Sequence, residues 1–224
     1  LTEFLVPGLE VFVPENITGS FDNKQHTFNL QAGISKTIYN GIQIEDLQFK
    51  VDANADSLLY ALNIQQVENE QIQLDNLYLG GTMQGQSITA LLSAIDEEGN
   101  KHFVVDSRLL IEPDVFRMHF NPDNFFVMNK QWSINPEHYI AFGNQGFLIH
   151  QLQMQHEEGL LSIQSVNEQF NDDISIQLQQ FSLDEISRII DKENTLVGGM
   201  LSGDILLKKT ADSYGIIADA NIDK

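Results

Sequence analysis

The residues of this chain best suited to metal or proton chemistry are its six histidines, His26, His102, His119, His138, His150 and His156. They are scattered. None forms an H-x-x-x-H pair on a helical stretch and the chain has no cysteine, so no zinc-like spacing exists. Asp52-Ala53-Asn54-Ala55-Asp56 imitates the opening of a calcium loop. However, Ser57 stands where the sixth position needs glycine and Asn63 where the twelfth needs glutamate, so a solvated turn is expected. Gly198-Gly199 to Gly203 is followed by Asp204 rather than lysine, which does not suit a phosphate loop. Asn16-Ile17-Thr18 is a glycosylation sequon, without consequence in a bacterial source. No Ser-His-Asp or paired-carboxylate arrangement has positional support, and acidic residues in turns are expected to be solvated. The sequence therefore points to no catalytic site, metal or cofactor. What remains is the chemistry of an apolar surface, where each buried CH₂ contributes roughly 0.8 kcal/mol.

The elements that would carry such a surface announce themselves as a pattern repeated three times. It reads Ile42-Gln43-Ile44-Glu45-Asp46-Leu47-Gln48-Phe49, then Ile72-Gln73-Leu74-Asp75-Asn76-Leu77-Tyr78-Leu79, then Phe147-Leu148-Ile149-His150-Gln151-Leu152-Gln153-Met154. Two apolar residues two apart, a polar pair, then the same spacing one step out of phase is strand periodicity with a slip. The slip falls at Glu45-Asp46, Asp75-Asn76 and His150-Gln151. A bulge there would keep both apolar pairs on one face and bend the strand; without it the second pair would cross to the other face. A bulge is expected, because the slip recurs at the same place. Between the first two copies Leu58, Tyr60, Leu62 and Ile64 alternate, and Leu161 and Ile163 do so after the third. These positions give one apolar set: Ile42, Ile44, Leu47 and Phe49; Leu58, Tyr60, Leu62 and Ile64; Ile72, Leu74, Leu77 and Leu79; and Ile149, Leu152, Met154, Leu161 and Ile163. Periodicity alone reads the set as packing on itself in a core, and it is expected to face lipid only on what a family resemblance implies.

Along the chain, Leu9 to Val13 and Ile17 to Phe21 read as short strands parted by Pro14, and Phe28 to Ile34 alternates. Asn40-Gly41 is a hairpin turn. Gly80-Gly81 is expected to end the second repeat strand. Ile88 to Ala94 follows, then a turn over Asp96 to Asn100, strands over 103–111 and 116–120, and a less regular segment from Asn121-Pro122 to Pro136. Ser182 with Glu185 makes a capping box for one short helix, Leu183 to Asp191, with Leu183, Ile186, Ile189 and Ile190 on one face. Roughly fourteen strands without intervening helices mean an all-β antiparallel meander, and a trough about 65 Å long if they stack at ~4.8 Å. The net charge of −20 disfavours nucleic acid and anionic membrane surfaces as partners. No apolar run approaches the ~20 residues of a membrane-spanning helix. No signal peptide is evident, and a chain opening on Leu1 is expected to be a fragment of a longer protein.

From about Phe103 onward the chain resembles the AsmA/TamB family of bacterial translocation-and-assembly-module proteins. The residues that carry the resemblance are Trp132-Ser133-Ile134-Asn135-Pro136, Ile140-Ala141-Phe142 and the third repeat strand. They continue with Leu161-Ser162-Ile163, Ile174 to Leu178, Phe181-Ser182-Leu183, and Gly198 to Leu207 with its leucine-serine-glycine strand. The resemblance implies a β-sheet curled into a taco-like groove lined by apolar side chains. It also implies a periplasmic protein anchored in the inner membrane, reaching toward a TamA-like outer-membrane barrel and carrying phospholipid acyl chains in outer-membrane biogenesis. On this reading residues 1–224 are one elongated repeat-built β domain, with degenerate repeats over 1–100 and the best-matching region over 101–224. The strongly acidic balance is not a requirement of the family.

The expected function is thus non-enzymatic holding or conduction of acyl chains along an apolar β-groove. The alternative is a closed β-sandwich or solenoid, a binding or adhesion module that recognises glycan or protein on its outer surface. That class calls for a dry core and exposed aromatic clusters, whereas Phe28, Phe49, Tyr60, Phe103, Phe116 and Phe120 mostly sit in apolar register.

Overall fold

The computed structural model of the chain describes residues 6–69, 73–96, 98–127, 129–183, 198–210 and 213–223. Among them the fold is all-β, antiparallel meander sheets not closed into a barrel. Local chemistry sets the hairpins. Asp22 Oδ1 accepts the N–H groups of Lys24 and Gln25 at the first turn. Asn40 and Gly41 both adopt positive φ (48° and 76°), the pair that a two-residue turn matched to strand twist requires. Asn54 Oδ1 accepts from the N–H groups of Asp56 and Ser57, and Asp52 is ion-paired to Lys50 at 2.8 Å, so the calcium-like stretch closes a turn with its own groups.

The chain divides into two compact units, Leu1–Asp106 and Ser107–Lys224. The first contains β1 (Leu9–Asp22), β2 (Thr27–Tyr39), β3 (Ile42–Ala53), β4 (Ser57–Glu68), β5 (Gln73–Gln84) and β6 (Ser87–Ile95), each paired antiparallel with the next. The boundary falls inside β7 (Lys101–Glu112). Two breaker signals are overruled by ladder pairing. β1 runs through Pro14, absorbing it with register shifts on both sides, and β5 runs through Gly80-Gly81 instead of ending there.

The second unit holds β8 (Val115–Val127), β9 (Lys130–Gln131), β10 (Ser133–Ile134), β11 (Tyr139–Gly143), β12 (Gly146–His150), β13 (Leu152–His156), β14 (Gly159–Ser165), β15 (Ile174–Ser182), β16 (Met200–Lys209) and β17 (Tyr214–Asp223). β8 continues unbroken through Asn121-Pro122, where a less regular segment was expected. β11 pairs with β8 and β12, while β10, β13, β14, β15, β16 and β17 form a second sheet in that order. The chain changes sheet at Gln151, whose φ is 44°. The N–H of Ile149 in β12 then donates to Ser165 Oγ of β14 at 3.1 Å, tying the two sheets at the corner. Phe125, Trp132, Ile134, Ala141, Leu148, Leu152 and Ile174 are buried in this unit. The Trp132 indole N–H donates to the Val127 carbonyl, and its ring packs near His156 and Phe181. The expected helix falls, apart from Leu183, outside the described residues.

Candidate functional site

Antiparallel register turns the alternating positions of the first unit into rows that cross the strands on one face, because directly paired residues point the same way. One row runs Ile34, Leu47, Ile64, Leu77, Ala94 from β2 to β6. The next, two residues along each strand, runs Ala32, Phe49, Leu62, Leu79, Leu92. A third runs Leu30, Val51, Tyr60, Gly81, Ala90, and a fourth Phe28, Ala53, Leu58, Met83, Ile88. Beyond the slip, Thr37, Ile44, Val67 and Leu74 form a shorter row. In the first two rows every side chain is hydrocarbon across five strands.

The slip itself takes a definite form. Asp46 (φ 48°) and Asn76 (φ 49°) are left-handed, in the middle of β3 and β5. Asp and Asn tolerate this conformation better than other non-glycine residues. Gln65 of β4 stands opposite both and drops out of the ladder with them. Even so, the pairs Glu45–Gln66 and Leu47–Ile64 keep one register, as do Gln66–Asp75 and Ile64–Leu77. The expected one-residue bulge is therefore a crease shared by neighbouring strands, with no residue inserted on one of them. Two shallow concavities at the crease share Gln65 and Asn76. Glu45, Gln66 and Asp75 help line one; Asn63 and Tyr78, with Ile64 and Leu77, help line the other.

Among the described residues of the unit, the substantial strand contacts are between ladder neighbours. Burial along the rows is graded. Ile64 is 7 % exposed and Ala94 fully buried, next to the crease, while Phe28 and Met83 in the fourth row are exposed. At β1, Ile17 and Phe21 reach 71 % exposure.

Tyr60 interrupts the hydrocarbon pattern. Its hydroxyl donates to the Thr89 carbonyl at 2.9 Å, reaching across Gly81, its partner on β5. A Cβ at Gly81 would overlap the Thr89 carbonyl and crowd that hydroxyl, so only glycine fits there. Burial, with a smaller contribution from Tyr78, holds the Tyr60 phenol above its ordinary pKa, so it stays neutral. Beyond the crease the polar side chains satisfy one another: Lys36 with Glu45, Gln43 with Glu45 and Glu68, and Gln66 with Asp75.

Of the expected lipid-facing residues, Leu47, Phe49, Leu58, Tyr60, Leu62, Ile64, Leu77 and Leu79 fall in the four long rows, and Ile44 and Leu74 in the shorter row beyond the slip. Ile42 is exposed and paired with Tyr39, and Ile72 lies outside the described residues. The third copy is divided by the sheet change: Ile149 is in β12, and Leu152 and Met154 are in β13 of the other sheet. There Leu152 pairs with Ile163 and Met154 with Leu161, in rows that continue through Ile176 and Leu178. Leu152 is buried at 6 % exposure, a core position of the second unit. The row members contributed by β2 and β6 were missing from the expected set. Their alternation is visible in Phe28 to Ile34 and Ile88 to Ala94, but their register is not.

Among the described residues no group of three or more His, Asp or Glu side chains could hold a metal ion, and no helix is long and apolar enough to cross a membrane. His138 is fully buried and already bonded on both ring nitrogens: Nδ1 to the Asn135 carbonyl, and Nε2 as acceptor from the Phe120 N–H at 2.9 Å. Compared with family models, with curated proteins and with solved structures, the chain matches none.

Proposed function

We propose that this chain is a non-enzymatic, TamB-like periplasmic protein of outer-membrane biogenesis, holding or conducting phospholipid acyl chains on the apolar face of its first unit. The observation that supports the reading is the pair of unbroken hydrocarbon rows that cross five strands of the first unit. A closed sandwich would spend such rows on a dry core, yet Val51, Ile64, Ala94 and Val104 are the only buried hydrophobic side chains among the described residues of this unit. The polar face, tied up by its own carboxylate, amide and lysine pairs, faces water. A TamA-like outer-membrane barrel as partner, and an inner-membrane anchor in a longer parent chain, belong to the same proposal and rest on the sequence resemblance.

Leu62→Asp and Leu74→Asp test the reading together. Each puts a carboxylate on a face that water reaches, so the protein should stay folded by circular dichroism and lose bound phospholipid in native mass spectrometry by at least tenfold. In a closed core the same changes would prevent folding, because an unpaired buried charge is too costly. Folded variants that keep their lipid would contradict the assignment.

A further inference from the structure

We propose that a hollow in the second unit binds a quaternary ammonium group, held against the rings of Trp132, His156 and Phe181 with Glu157 and Glu158 beside it. The site lies in a different unit from the apolar rows and does not rest on the acyl-chain reading. The hollow has a volume of about 250 Å³, and its lining comes from β9 and Trp132, the β13–β14 turn, the end of β15 and the start of β16.

Three features build it. The first is a β-bulge. The register of β15 against β16 shifts between Leu178 and Phe181, Gln180 takes φ 48°, and its N–H donates to Ser202 Oγ at 3.0 Å. Such a bulge re-aims the side chain beside it, and the Phe181 ring stands 5.6 Å from Trp132, centroid to centroid. The second is His156, whose Nδ1 donates to the Gln131 carbonyl at 2.9 Å and whose ring stands 5.7 Å from Trp132. Trp132, 6 % exposed, is thus the back wall that the other two rings share. The third is Gly159, paired with His156. Its φ lies outside the left-handed region, so the backbone does not call for glycine there. A Cβ would stand 3.2 Å from the His156 carbonyl oxygen and 3.3 Å from that of Gln180. Glycine keeps this part of the lining open.

The lining selects its ligand by charge and by hydration. Glu157 and Glu158 outnumber the one lysine, Lys130, so the lining keeps a single net negative charge, which a monocation balances. The whole chain, at −20, draws cations toward it. A primary ammonium would have to shed tightly held water and bring three N–H donors to Trp132, Phe181 and Met200, which offer no strong acceptor. A quaternary ammonium has no N–H to satisfy and presents methyl groups to the rings. Free choline and the headgroup of phosphatidylcholine share that chemistry.

Trp132 is the only tryptophan of the chain, so its fluorescence reports on this hollow. The test titrates choline chloride into the purified chain and reads both that fluorescence and the heat released, against sodium chloride at matched ionic strength. Choline should give a saturable response that sodium chloride does not. Phe181→Leu, which removes the ring and keeps an apolar side chain, should weaken binding at least fivefold. Glu157→Gln combined with Glu158→Gln, both at exposed positions, should do likewise and covers the case in which Phe181→Leu does not fold. Phosphatidylcholine vesicles, compared with phosphatidylglycerol vesicles, separate the two sources: binding tighter than that of free choline assigns the lipid headgroup, weaker binding the free solute. No saturable response to choline in either form, a response to glucose alone, or folded variants that bind as the parent does would overturn the site.

Discussion

Single side chains of this protein carry two kinds of constraint. In the apolar rows a residue such as Leu62 is half-buried, and on the proposed function it is the kind of side chain a ligand would meet. His138 is the opposite case. Burial is the largest influence on its imidazole and, with His119 nearby, holds its pKa below the ordinary 6.5 despite the bond to the Asn135 carbonyl. A proton on Nε2 would also face the Phe120 N–H that Nε2 now accepts. With the folded-state pKa below the unfolded one, this contribution to stability is full above about pH 6.5 and is lost as pH falls through the folded-state value. Urea midpoints of the parent chain should therefore drop on acidification from about pH 7.5 to 5. The drop should be smaller in His138→Phe, which is also weaker at every pH by roughly 1–3 kcal/mol because the Phe120 N–H loses its acceptor. Equal slopes for the two proteins would contradict the assignment. Nothing in the spacing of the six histidines marked His138 as the buried one; its place depends on β8 running through Pro122 to present the Phe120 amide.

The strands show where sequence periodicity is sufficient and where it is not. The phase slip announced the left-handed residues at Asp46, Asn76 and Gln151, because an apolar pair cannot change phase and keep its face without a backbone break at the polar step between. What the slip does depends on the neighbouring strand, which is why the first two copies crease a continuous sheet and the third parts β12 from β13. The same non-local pairing carries β1 through Pro14 and β5 through Gly80-Gly81, against the local signals. A backbone test follows. Asp46→Gly should be neutral or slightly stabilising, since glycine takes positive φ freely. Asp46→Val should cost about 1–2 kcal/mol, because a β-branched residue resists the left-handed region. Matching losses for both in denaturant unfolding would mean that the Asp46 side chain, not its φ, matters at the crease.

At the scale of the whole chain, composition and alternation were enough to read an all-β antiparallel meander without intervening helices. The division at Asp106/Ser107 was beyond such a reading, because it falls inside one continuous strand, β7. The charge of −20 is consistent with the two-sided design of the first unit, in which carboxylates gather on one face and in turns while the other face stays hydrocarbon. The account stands on that separation of faces. Its most direct measurement is photo-crosslinking in cells, with the probe residue at Leu62 on the hydrocarbon rows and, in a second strain, at its neighbour Asn63 on the polar face. Phospholipid adducts at Leu62 and none at Asn63 are the predicted result. A folded protein with adducts at neither position, or at both alike, would contradict the claim that this face holds acyl chains.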